Sequence, residues 1–109
     1  MRSRELIDFY NDILREIKLL KILANDNTIV TEIKNHASER AIEIISESMS
    51  ITRKNFNIEW KDFKVLVDVR NDIVHEYFDN SFMIVKEFIM NKLPLLEKMV
   101  KDEIIKISK

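Results

Sequence analysis

Apolar residues recur at helical spacing along most of the chain. Leu6, Phe9/Tyr10, Ile13/Leu14, Ile17, Leu20 and Leu23/Ala24 predict an amphipathic helix over about residues 4–24, N-capped by Ser3 and broken by Asn25-Asp26-Asn27. A second helix is expected over about 28–54, turning Ile29/Val30, Ile33, Ala37, Ala41, Ile44/Ile45 and Met49 inward. Asn55 and Asn57 mark the next turn, and Asn57 is placed to cap the third helix. That helix runs from about 58 into the high seventies, with Trp60, Phe63, Leu66, Val67, Ile73, Val74 and Phe78 on one broad apolar arc. Asp79-Asn80-Ser81 ends it and caps a last segment over 81–107, which carries Phe82, Val85, Phe88/Ile89, Leu93, Leu96, Val100 and Ile104. Pro94 removes a backbone donor within that segment and predicts a kink or a split there. Four helices with short joints give an all-α, antiparallel up-down bundle, one domain over residues 1–109.

Composition narrows the chemistry. The chain has no Gly, so it holds no Gly-rich phosphate loop and no dinucleotide fingerprint, and turns that need positive φ must use Asn or Asp. It has no Cys, which removes disulfides, thiolate metal sites and cysteine nucleophiles. Lys+Arg number 18 and Asp+Glu 19, a net charge of −1 that argues against coating a polyanion by bulk charge. No apolar run approaches a membrane span and no signal-like segment opens the chain, so a soluble cytoplasmic protein is expected. The helical pairs Asp72/His75 and Glu32/His36 have ligand-like spacing, but the two Glu-x-x-His motifs of a bundle metal site are missing and a solvated face accounts for them better. The Lys/Glu run over 97–106 reads as a solvated face with i, i+4 pairs, and Met83, Met90 and Met99 as core or interface filler.

The third helix departs from this plain reading. Arg70 lands near the middle of its apolar arc, where a guanidinium needs a partner or a task. Tyr77 lies at i+7 from it, and Asn71 and His75 are an i, i+4 pair at the edge of the arc. His suits proton transfer near neutrality, and Arg matches phosphate oxygens and developing negative charge. Asn can hold an imidazole in one tautomer. The set fits metal-free RNA cleavage, with the base activating a ribose 2′-OH; an Arg paired structurally with an acid from another helix fits the spacing as well. Val65 and Val69, apolar on the opposite side, point to a contact outside the bundle, such as a dimer.

The run Arg-Asn-Asp-Ile-Val-His-Glu-Tyr over 70–77 resembles the extended Arg-x4-His-x-Tyr signature of HEPN-domain proteins. With "ERAIEIISES" in the second helix, "IEWKDF" opening the third and "NKLPLLEKM" in the last, the whole chain is similar to the HepT toxins of the HepT/MntA (HEPN–minimal nucleotidyltransferase) toxin–antitoxin systems. The resemblance implies a homodimeric, metal-independent endoribonuclease that needs no cofactor. Arg70 and His75 would be catalytic and Asn71 supporting, while Tyr77 would accept AMP from the partner nucleotidyltransferase. Many members carry Gly where this chain has Ser46 and Asp68. RNA binding would draw on Arg40, Arg53, Lys54 and Lys64. The rival expectation is a non-catalytic HEPN module that binds a nucleotide or a nucleotidyltransferase.

Overall fold

The computed structural model describes residues 5–60, 64, 67, 68, 71 and 81–108. Among them the protein is an all-α helical bundle: α1 (Leu6–Asn25), α2 (Thr31–Phe56), α3 (Ser81–Asn91) and α4 (Leu93–Ile107). Lys64, Val67, Asp68 and Asn71 are also helical, and fall within the expected third helix.

α1 lies against each of the other three helices. Its apolar stripe is the one the sequence predicts: Phe9, Tyr10, Ile13, Ile17, Leu20 and Leu23 are buried. Its start differs. The N-cap is Glu5 rather than Ser3, in a reciprocal capping box in which the Glu5 backbone N–H donates to the Asp8 carboxylate at 3.0 Å. The turn after α1 is set by Asp26, whose carboxylate accepts from both the Thr28 backbone N–H and the Thr28 hydroxyl. Those bonds hold the exposed Asp26 carboxyl below its ordinary pKa. Phe9 near the start of α1 meets Phe56 at the end of α2, ring centroids 6.1 Å apart, so the two helices run antiparallel.

α2 begins later than expected, and its inward face agrees with expectation at Ala41, Ile45 and Met49 but not near its start. It starts at Thr31 behind Val30, whose side chain makes no cap bond. Ile33 and Val30 are 58% and 61% exposed, whereas Lys34, Ser38, Ala41, Ile42, Ile45, Ser48, Met49 and Thr52 turn inward. Hydroxyl-bearing residues that a hydropathy count scores as polar thus share the buried face with Ala41, Ile42, Ile45 and Met49. Ser38, Ala41 and Ser48 have little bulk, which suits close packing against α1. The long Lys34 side chain can bury its methylene stem and keep its ammonium toward water.

α3 and α4 divide as Pro94 predicts. The break is the single residue Lys92, whose N–H still reaches the Phe88 carbonyl at 2.8 Å. Pro94 sits in the first turn of α4, where its missing N–H costs least. Val85, Phe88 and Ile89 of α3, with Leu93, Leu96 and Val100 of α4, complete the core. The Phe82 side chain lies outside the described residues. Met83 and Met90 of α3 are 68% exposed, so they do not fill the core of this chain.

α4 runs antiparallel to α1, as two tertiary contacts show. Lys21 near the end of α1 pairs with Glu97 near the start of α4 at 2.6 Å, and the Tyr10 hydroxyl faces Glu103 at 3.5 Å. The Lys21 ammonium holds the Glu97 carboxyl below its ordinary pKa against the opposing effect of burial. Other α4 charges form the expected local pairs, Lys98–Asp102 at 3.0 Å, Lys101–Glu97 at 3.7 Å and Lys106–Glu103 at 3.1 Å. No helix among the described residues is long and apolar enough to cross a membrane.

The position of the α2 face generates a paired expectation. Ile42→Ala removes a side chain with no exposure, and unfolding by urea should show a loss of about 2–5 kcal/mol. Ile33→Ala, on the exposed side, should stay within about 0.5 kcal/mol of wild type. Equal losses would restore the face that hydropathy alone selects.

Burial, with the Glu103 carboxylate as a second cause, raises the Tyr10 phenol from 10.0 to about 12. The fold therefore favours the neutral ring. Its contribution is complete below the unfolded pKa of about 10 and is lost as pH rises through the folded value near 12. Stability measured across that window should fall more steeply in wild type than in Tyr10→Phe. Matching slopes would remove Tyr10 from the alkaline transition.

Candidate functional site

The segment between α2 and α3 carries the residues singled out by chemistry. Asn57 ends α2 in the left-handed region (φ 57°, ψ 34°), a conformation Asn tolerates and one a glycine-free chain must obtain this way. Asn57 therefore closes α2 at its C-terminus rather than capping a following helix. Residues 57–60 are not helical, so the next helix does not begin at 58. Across them exposure alternates: Asn57 and Glu59 face solvent, Ile58 is partly buried and Trp60 is buried. The alternation sends two apolar side chains, Ile58 and Trp60, into the bundle.

Thr52, fully buried in the last turns of α2, holds this exit. Its backbone carbonyl accepts from the N–H groups of Asn57 and Ile58, the latter at 3.3 Å. Its hydroxyl donates to the Met49 carbonyl at 2.9 Å and accepts from the Trp60 indole Nε1–H at 2.9 Å. The Trp60 and Tyr10 rings make a T-shaped contact, centroids 6.0 Å apart and planes at 87°. On its outer side lies a recess of about 240 Å³ shared with Glu59, Met99, Asp102, Glu103 and Lys106.

Beyond Trp60, Asn71 is helical and exposed. Lys64 and Asp68 are exposed and Val67 is half-buried, in agreement with the polar and apolar sides read from sequence. Arg70, His75 and Tyr77 lie outside the described residues, as do Val65 and Val69, Asp72, and the Asp79-Asn80 stop. Arg40, Arg53 and Lys54 are exposed on α2. Arg40 pairs with Glu43 at 3.3 Å, and with Glu43, Ser46 and Glu47 it lines an open recess of about 380 Å³. The Ser46 hydroxyl oxygen is buried there with no hydrogen-bond partner. His36 is exposed on α2. Among the described residues no three His, Asp or Glu side chains gather as a metal-binding group.

Sequence reasoning missed Thr52 and placed Trp60 on a helix. The available signal was the pair Asn57 and Ile58-x-Trp60: a left-handed stop followed by alternation.

Comparison with known proteins adds three relatives. The chain is 29% identical over 91 residues to a protein of Caldanaerobacter subterraneus subsp. tengcongensis named "Putative RNase", covering 79% of each chain. It is 27% identical over 109 residues to a protein of the same name from Methanocaldococcus jannaschii, covering 92% of this chain and 97% of the relative. A second protein of that organism and name is 24% identical over 115 residues, covering 94% and 93%. No family model matches the chain, and no solved structure matches it.

Proposed function

We propose that this protein is a metal-independent endoribonuclease of the HepT-like HEPN type, the toxin half of a toxin–antitoxin pair. The observation that carries the reading is similarity, over 79–94% of this chain, to three proteins named as putative RNases, in a chain that holds Arg-x4-His-x-Tyr over 70–77. The helical, exposed Asn71 supports it, since its immediate neighbour is the Arg of that motif.

In this reading His75 takes the proton of a ribose 2′-OH, and the freed oxygen attacks the adjacent phosphorus. The bond from phosphorus to the 5′ oxygen breaks, leaving a cyclic phosphate and a 5′ oxygen that takes a proton from water to become a hydroxyl. Arg70 stabilises the negative charge that develops on the phosphoryl oxygens. Asn71 orients the pair. A homodimer brings two such motifs together, and Arg40, Arg53, Lys54 and Lys64 supply the exposed cations for RNA phosphate. The partner nucleotidyltransferase silences the enzyme by placing AMP on Tyr77, adding phosphate and bulk where substrate phosphate must sit beside Arg70.

Purified protein should cleave a mixed-sequence RNA in EDTA, and His75→Ala should abolish cleavage at unchanged dimer mass and nearly unchanged Tm. A His75→Ala variant that cleaves normally removes His75 from the mechanism. An inactive wild type of unmodified intact mass favours the non-catalytic binding module instead.

Tyr77→Phe should keep both fold and cleavage while escaping the nucleotidyltransferase. AMP transfer to Tyr77→Phe at full stoichiometry, read by intact mass, would move the acceptor elsewhere.

A further inference from the structure

The outward side of α2 carries a second apolar line. Val30, Ala37, Ile44 and Ile51 recur at intervals of seven, and Ile33 stands one turn beyond the first of them. That spacing sets all five along one stripe of the helix, to the side of the face that Ala41, Ile45, Met49 and Thr52 bury. Val30 and Ile33 are 61% and 58% exposed, and Ala37, Ile44 and Ile51 are half-buried. Ile22, exposed near the end of α1, lies at the same end of the antiparallel α1–α2 pair as Val30 and Ile33. Exposed apolar residues are ordinary when they stand singly. A line kept in register over three heptads is instead the pattern of a helix that packs on another helix.

The charges beside the stripe identify that other helix. Ile33, Arg40, Glu47 and Lys54 form the neighbouring line, again seven apart, and Glu32 precedes it on the same flank. Glu32, Arg40, Glu47 and Lys54 are all exposed. Their positions are balanced about Ile44. Arg40 and Glu47 have their midpoint within one residue of it, as do Ala37 with Ile51 and Glu32 with Lys54. An antiparallel two-fold pairing keeps the same flank of both helices together. Centred on Ile44, it sets Ile44 on its own counterpart and the small Ala37 opposite the partner's Ile51. Arg40 then faces the partner's Glu47, and Glu32 the partner's Lys54, each twice by symmetry. The flank is therefore complementary in charge to itself, as an interface between identical copies requires.

We propose that the outward stripe of α2 is a self-association surface, on which a second copy of this chain seats its own α2 antiparallel about Ile44. Arg40 exchanges its exposed local partner Glu43, now at 3.3 Å, for the partner's Glu47. Arg40 and Lys54 are drawn into the interface, which leaves Arg53 and Lys64 among the exposed cations to meet RNA phosphate. The surface holds no residue of the 70–77 motif and stands independently of the ribonuclease reading.

The chain has no Cys, so the contact can be read directly in the full-length protein. Ile44→Cys should form a disulfide-linked dimer under mild oxidation, because the two-fold axis brings the residue to its own copy. Leu95→Cys, exposed on α4, should remain a single chain under the same conditions. Arg40→Glu and Glu47→Arg, at exposed positions, should each weaken self-association about tenfold or more in sedimentation equilibrium, since each sets like charges together at both ends of the contact. The double variant Arg40→Glu/Glu47→Arg should return to within about threefold of wild type. If Ile44→Cys does not fold, the charge reversals carry the test alone.

A wild type that stays monomeric at high concentration overturns the proposal and leaves the stripe to a partner of another kind. An assembly indifferent to both single reversals overturns it too, and places the contact on a different face. So does a double variant no tighter than the single ones, or cross-linking of Leu95→Cys as ready as that of Ile44→Cys.

Discussion

A buried hydroxyl that must be satisfied is the constraint on which the path of this chain depends. Thr52 has no exposure, and its hydroxyl and its carbonyl are both engaged. An unmet buried polar group costs roughly 1–3 kcal/mol, comparable to a large part of a small domain's margin. The bonds that meet it are the ones that end α2, reverse the chain through Asn57 and draw Trp60 inward. In a chain without glycine, few residues can make that reversal, and Asn57 is the residue with positive φ among those described. The helix stop and the entry of the next segment are therefore a single arrangement rather than two.

That arrangement is anchored through α1. Tyr10 meets Trp60 in a T-shaped ring contact and gives its hydroxyl to Glu103, so one fully buried side chain joins the exit of α2 to the last helix. Aromatic contacts of this geometry contribute about 0.5–1.5 kcal/mol beyond their buried area. The surface ion pairs matter less: Lys21–Glu97 is short but half open to water, and such pairs contribute at most about 1 kcal/mol. It sets the register of α1 against α4 more than it stabilises them. The packing is not free of cost, since Ser38 and Asn35 each bury an oxygen without a partner along α2.

How much of this was legible depended on how plainly residue type reports environment. α1 and the α3–α4 pair could be read residue by residue, because their inward positions are Leu, Ile, Val and Phe at helical spacing. Pro94 announced the break between α3 and α4 for the reason given by its missing donor. α2 could not be read as well. Its inward face mixes Ser38, Ser48 and Thr52 with Ala41 and Ile45, while Ile33 lies outward. The Thr52 hydroxyl bonds within its own helix and the two serines are small enough to pack inward, and no hydropathy pattern reveals either. The start of the third helix was misplaced because Ile58 and Trp60 belong to both a helical and an alternating pattern. Of the candidate site, Asn71 and the cations Arg40, Arg53, Lys54 and Lys64 are exposed, and Arg70, His75 and Tyr77 lie outside the described residues.

The charge distribution explains why placement should matter so much for a protein read as acting on RNA. Exposed Arg40 shares its recess with Glu43 and Glu47, Asp68 lies exposed between Lys64 and Asn71, and the chain as a whole carries −1. Such a surface cannot gather a polyanion by a broad positive field, because affinity of that kind scales with the number of phosphates neutralised. A nucleic acid must instead be held by a few groups at the right separations. Each lost contact then removes a large share of the interaction, and the tolerance for misplacement shrinks accordingly.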